Sequence, residues 1–217
     1  MEKIEEHLNT LDDEEEEIFT PQKVLEAIEA AWLNEKFAPE ILPHQSDLVD
    51  CMLQQITHME ENMKRLEKGD LRLVVHGLEL DRIKFVISSY LRTRLEKIEK
   101  YVWHILAQES NKSSEESYLT SSELQFAKDY SASMETLFNN IALQYMPYNL
   151  QSFETNKLMI RPNMQTHVFL QAKKDIDGII IPDNVEEEAV DFETGSQHII
   201  QYNAIADLVK QGAVQLI

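Results

Sequence analysis

Apolar residues along this chain keep two different rhythms. Between Pro21 and Met146 they recur at steps of three and four, the period of one helix face, and beyond Thr166 they alternate with polar residues, the period of a strand. The first predicted helix has Thr20 as its N-cap and Pro21 at the first helical position, where a missing N–H costs nothing. Val24, Leu25, Ile28, Ala31 and Trp32 form its apolar stripe, and Lys36 suits the negative end of its dipole. Pro39 disfavours a helical Ala38 and stops it. The stretch "AWLNEKFAPEIL" (Ala31 to Leu42) therefore reads as a helix stop with an aromatic anchor, its Asn34-Glu35-Lys36 triplet in solvent, and not as a site. Phe37, Ile41 and Leu42 fold back on the bundle.

A second helix is predicted with Ser46 as cap, an apolar stripe of Leu48, Met52, Ile56, Met59, Met63 and Leu66, and an end at Gly69. Glu60–Lys64 and Glu61–Arg65 stand on its outer face in the favourable order. The third helix is capped by Asp70 and meets no firm breaker before about Glu109, since Gly77 only weakens it. Some 38 residues at 1.5 Å each span roughly 57 Å. A compact domain of about 130 residues is only about 36 Å across. The triplets Leu73–Val75 and Phe85–Ile87 also put apolar side chains on more than one face, so length and two-sidedness together predict a partner protein. Thr120 with Glu123 forms a capping box for a fourth helix, which runs through Leu124, Ala127, Tyr130, Met134, Leu137, Phe138, Ile141 and Tyr145 to Met146, where Pro147 ends it.

Beyond the linker "YNLQSFETN" the segments "THVFLQA", "GIIIP", "EAVDFE" and "SQHIIQYN" read as strands, with turn signals at Asp177-Gly178 and Thr194-Gly195. The short helix "AIADLVKQ", Gly212 and a terminal strand "AVQLI" follow. The terminal strand is expected to pair with "HIIQY", with Val214 and Leu216 on one face and its end at the contact with a neighbouring subunit. The fold class is α+β: an acidic flexible arm (1–19), a bundle of four long helices (20–147), a linker (148–157) and a small β-rich domain (158–217). A unit of about 60 residues is marginal alone and needs support from a neighbour.

The chain has 217 residues and a formal net charge of −19, which argues against a free-standing duplex-DNA binder. Cys51 is the only cysteine, so no intramolecular disulfide forms and a reducing compartment is expected. No apolar run is long enough to span a bilayer, so no membrane role is expected, and the N-terminus lacks the layout of a signal peptide. Nine acids against Lys3 alone in the first 20 residues make a self-repelling arm, whose Ile4, Leu8 and Leu11 are spaced like one helix face.

Catalytic patterns are missing. Five glycines leave no phosphate-cradling loop. His58 and Glu61 share a helix face without a third metal ligand, and Cys51 sits among apolar residues as an inert thiol. Asn111 heads a glycosylation sequon that is irrelevant inside the cell. No catalytic residue, metal or cofactor is expected. One basic stretch stands out: Arg82, Lys84, Arg92, Arg94, Lys97 and Lys100, against Glu96 and Glu99. It reads first as a solvated or inter-subunit salt-bridge face, and second as a nucleic-acid contact.

"AWLNEKFAPEIL", "MEENMKRLEKGDLRL", "RIKFVISSYLRTRLEKIEKY" and "GSQHIIQYNAIADLVKQGAVQLI", in that order, closely resemble the Sld-five family of subunits of the eukaryotic GINS complex, over about Thr20 to Ile217. The resemblance implies a helical domain followed by a small β-rich domain. It also implies assembly with three Psf subunits into a heterotetramer whose long helices pack between subunits. That complex joins the MCM ring and a further activator in the replicative CMG helicase of the nucleus, and the family is not enzymatic. The sister subunit Psf-one has the same domain order, but "SSYLRTRLEKIEK" favours Sld-five. Fungal members carry an acidic pair before an Ile-Leu-x-x-Leu motif that docks on a trimeric replisome hub. Here Asp12-Asp13 follow Ile4, Leu8 and Leu11, a departure that puts this docking role in question. The interface candidates are Trp32, Phe85, Leu91, Arg92 and Arg94 on the helices, and Leu216 and Ile217 at the end of the chain. Two function classes stand: a scaffold within the replicative helicase, or a nucleic-acid-binding module using the basic third helix.

Overall fold

The computed structural model describes residues 21–67, 69–110, 117–151, 157, 159–180 and 189–217. The expected acidic arm with its apolar triad and Asp12-Asp13 pair, the Thr20 cap, Asn111 and most of the linker lie outside them. Helix α1 (Pro21–Phe37) opens on proline and stops two residues before Pro39. Helix α2 (Ser46–Lys64) begins at Ser46 itself: Gln45 holds the cap position without a side-chain cap bond, and the Gln45 N–H donates to the Tyr90 hydroxyl at 3.2 Å. The helix ends before the expected Gly69, which sits instead in the turn to α3 with φ of 104°. Helix α3 (Leu71–Glu109) has 39 residues and is capped by Asp70, whose carboxylate accepts the Arg72 N–H at 2.9 Å. It bends at Tyr101, where φ is −116°. Helix α4 (Ser121–Ile141) starts in the full Thr120/Glu123 capping box. It stops short of Met146, giving way to a 3₁₀ turn over Leu143–Tyr145.

The C-terminal region holds β1 (His167–Ala172), β2 (Ile176–Ile180), β3 (Ala189–Phe192), β4 (Gln197–Gln201), helix α5 (Tyr202–Lys210) and β5 (Val214–Leu216). The chain is thus helix-dominated, with a small strand region at its end. Strands β4, β1 and β5 make one antiparallel sheet with β1 in the middle, and β2–β3 a second. Two expectations need correction. The terminal strand pairs with β1, not with "HIIQY". Since β4 and β5 are both antiparallel to β1 they are parallel to each other, and α5 carries the chain across β1 between them. Asp177-Gly178 is no turn; it lies within β2, where the register shifts between Ile176 and Ile179 and Gly178 takes a φ of 72°.

Three apolar clusters hold the structure. Val24, Ile28, Val49, Met52, Ile56, Leu80, Ile83, Val86 and Tyr90 join α1, α2 and the first half of α3, with Cys51, Met59 and Met63 against them. Ile41, Ile98, Val102, Ile105, Leu119 and Ala127 join the second half of α3 to α4. The third cluster lies inside the strand region and takes in Ala38 and Leu42 from the α1–α2 connection. The small unit leans on its own helices. The Leu216 N–H, turned outward from β5, donates to Asn34 Oδ1 at 2.8 Å, so α1 caps that edge of the sheet. Asn34→Ala is expected to cost about 1 kcal/mol, measured as a lowered urea midpoint with an unchanged slope.

Candidate protein-interaction surface

Helix α3 carries two opposed sets of side chains. Leu80, Ile83, Val86, Ile87, Tyr90, Arg94 and Ile98 face inward and are buried. At 100° per residue, Leu71, Val74, Leu78 and Phe85 fall within about 60° of one another on roughly the opposite side. Each of these four is more than half exposed. Val75 widens the stripe, and Leu91 and Leu95 stand exposed farther along. Leu137, Phe138 and Ile141 on the second half of α4, then Tyr145 and Tyr148, are exposed too. A monomer rarely leaves so many large apolar side chains exposed without a partner to cover them.

Behind this surface α3 is fixed by a buried ionic cluster. Arg94 is 1% exposed and all five of its N–H donors are used. Nε and Nη2 fork onto the Glu123 carboxylate at 2.7 and 3.0 Å, Nη1 reaches Glu35 Oε2 at 3.1 Å and the Leu42 carbonyl at 2.8 Å, and Nη2 also reaches the Tyr118 carbonyl at 2.9 Å. Lys97 Nζ donates to Glu35 Oε1 at 2.8 Å, to the Glu40 carbonyl at 2.7 Å, and to the Glu35 carbonyl. The Glu40 carboxylate in turn accepts from Tyr202 Oη at 3.0 Å and pairs with Lys210 at 2.9 Å. Three carboxylates and three cations thus run from α4 through α3 and α1 to the strand region. Burial works against the Arg94 charge, but the Glu123 hydrogen bonds and the Glu35 field outweigh it and hold the guanidinium above its ordinary value. Burial pulls the Lys97 ammonium down, against the opposing pull of Glu35. Burial also pushes the Tyr202 hydroxyl up, and Glu40 adds to the shift.

Burial alone would raise the Glu123 carboxyl, yet its bonds to Arg94 take it below its ordinary 4.5. A folded value below the unfolded one stabilises above the unfolded pKa, and that stability is lost as pH falls through the folded value. Wild-type stability should therefore drop as pH falls below about 4.5. Glu123→Gln, less stable at neutral pH, should show a shallower acid slope in denaturant midpoints taken at successive pH values.

The expected interface residues divide between these features. Trp32 is half-buried; its Nε1–H donates to Ser89 Oγ at 2.9 Å and its ring meets Phe85 edge-on at 6.0 Å. Phe85, Leu91 and Arg92 are exposed on α3. Arg94 is internal and cannot touch a partner. Leu216 is fully buried, whereas Ile217 beside it is 43% exposed. The "AWLNEKFAPEIL" stretch is more than a helix stop, because Glu35 is 1% exposed at the centre of the ionic cluster. Nor is the basic stretch a free cationic face. Arg82 pairs with Glu29, Lys84 with Glu60 in place of the expected Lys64 pair, and Arg94 and Lys97 are internal. Among the described residues no group of three or more His, Cys, Asp or Glu is placed to hold a metal ion. No helix among them is long and apolar enough to cross a membrane.

Two family models match. Residues 50–142 match the GINS complex protein helical bundle domain Sld5, and residues 162–217 match the DNA replication complex GINS protein SLD5 C-terminus. A rat (Rattus norvegicus) protein named DNA replication complex GINS protein SLD5 is 45% identical over 207 residues, 94% of this chain and 93% of its own length. The chain belongs to the SLD5 family. SLD5 proteins of Xenopus laevis and Arabidopsis thaliana are 44% and 32% identical, over 94% and 89% of this chain and 95% and 90% of their own lengths. Nothing in these matches favours the sister subunit Psf-one. The first SLD5 match starts inside α2 and ends just past α4, so it spans the whole of α3 with its apolar outer face. The second covers the strand region from before β1 to Ile217.

Proposed function

We propose that this chain is a structural subunit of a GINS complex, acting without catalysis in the initiation and elongation of chromosomal DNA replication. One observation carries the reading: a 39-residue helix in an SLD5-family chain keeps its outer apolar stripe uncovered. Its partners are three Psf subunits, giving a heterotetramer, and through that complex the MCM ring and its further activator in the CMG helicase. The site of action is the nucleus. The units expected at 20–147 and 158–217 divide the work, the helices presenting the assembly face and the strand region bracing their base.

The nucleic-acid alternative is disfavoured by the acids that engage Arg82, Lys84, Arg94 and Lys97. The two readings part in salt. An apolar assembly face holds when salt rises from about 0.1 to 1 M, whereas phosphate contacts are lost steeply. Gel filtration of the co-purified subunits at both concentrations, with fluorescence anisotropy on labelled DNA for the chain alone, makes the test. A salt-stable assembly and no salt-sensitive DNA binding by the chain are expected; the reverse pattern would select the alternative.

A further inference from the structure

The three-stranded sheet has an outer face that neither the helices nor the apolar core explains. Alternation puts eight side chains there: His167, Phe169 and Gln171 on β1, Gln197, Ile199 and Gln201 on β4, and Gln215 and Ile217 at β5. None is an acid, a lysine or an arginine, in a chain that is 27% charged. Phe169 lies opposite Ile199, and the Ile217 N–H donates to the Phe169 carbonyl, so three apolar side chains stand side by side. They are 61%, 58% and 43% exposed. A charge-free apolar centre with an amide rim is the composition of an interface core. The absence of any Lys or Arg leaves nothing to meet a phosphate, so nucleic acid and anionic lipid are poor fits.

The two edges of this sheet are unlike. Asn34 caps the β5 edge. Among the described residues β4 is the other terminal strand of the sheet. The bonds from Ala172 N–H to the Ser196 carbonyl and from Tyr202 N–H to the Thr166 carbonyl fix the ladder, in which even-numbered residues of β4 face β1. The backbone groups of Gln197 and Ile199 therefore point away from the sheet. Natural edge strands are commonly blunted by lysine, proline or a bulge, and "QHIIQ" contains none of them. Among the described residues no backbone group bonds to these outward groups of Gln197 and Ile199, and such an edge beside a charge-free apolar face is the arrangement that accepts an added strand.

We propose that β4 is the docking edge for an extended polypeptide segment of a partner protein, which adds as a fourth strand and lays uncharged, apolar side chains beside Ile199 and Phe169. The mode is independent of the α3 stripe and uses a different part of the chain. Its test is residue-resolved amide hydrogen exchange on the assembly purified through a tag on the full chain. The Ile199 amide is expected to exchange about a hundredfold or more slowly than an unpaired amide. Ile199→Pro removes one outward N–H and leaves the β1 ladder whole. Binding of the partner should weaken about tenfold while the chain melts as before. If Ile199→Pro fails to fold, Gln197→Pro at the start of the strand carries the same test. Fast exchange at Ile199 in the assembly, or undiminished binding by a folded proline variant, overturns the proposal. So does protection arising in a homodimer of the chain alone, which would assign the edge to a second copy. Variants in the α3 stripe report separately on the assembly reading, so the two can fail independently.

Discussion

Replacing Arg94 by leucine is expected to destabilise the folded chain by about 3–5 kcal/mol. Glu123 would lose both of its guanidinium bonds, Glu35 would keep only Lys97 and the Leu42 N–H, and the carbonyls of Leu42 and Tyr118 would lose a donor. Removing one member of a buried ion network leaves the others charged where water cannot reach them, and that cost exceeds the worth of any single bond. A typical domain holds only about 5–15 kcal/mol in all, so the variant should melt far below the wild type and accumulate poorly. Arg94→Lys should recover only a minor part, because an ammonium cannot fork onto Glu123 while reaching Glu35 and two carbonyls. Thermal unfolding followed by circular dichroism reads both variants. A melting temperature within a few degrees of wild type for Arg94→Leu would mean that the cluster is not what fixes α3 against α1 and α4.

Aspartate in place of Leu78 or Phe85 should give the opposite pattern. Both side chains are more than half exposed, so the chain itself should change by no more than about 0.5 kcal/mol for Leu78. Phe85 also touches Trp32 and is the less clean of the two. In an assembled complex the same carboxylate would be buried without a partner, which costs several kcal/mol. At about 3 kcal/mol the loss of affinity exceeds a hundredfold. Pull-down of partner subunits by each variant, beside its melting curve, separates the two effects. Wild-type recovery of partners with Leu78→Asp would place the interface elsewhere.

Much of the fold was legible because its signals are local. Pro21, Asp70, the Thr120/Glu123 box and Pro39 each act within a turn of the helix end they mark, and all appear at the expected ends. Strand alternation put Val214 and Leu216 on one face for the same reason, and the fold shows that face to be the buried one. What escaped depends on distant partners. Glu35 lies in a polar triplet beside a helix end, where a carboxylate is normally solvated. It is buried because Arg94 and Lys97, 59 and 62 residues away, come to meet it. The same distance effect hid the internal role of Arg94, which in sequence looks like its exposed neighbour Arg92. Strand order was missed because pairing is set by the crossover of α5 over β1 and not by closeness in sequence. The excess length and two-sided apolarity of α3 were readable, and the exposed stripe that follows from them is present in the fold.

The central claim is that α3 completes its packing only against other chains. Native mass spectrometry of the full chain, co-expressed with the three Psf subunits, tests it most directly. One copy each of four different chains in a single particle, with the chain expressed alone proving poorly soluble, is the predicted result. A monodisperse, cooperatively melting monomer that takes up none of those subunits would contradict it.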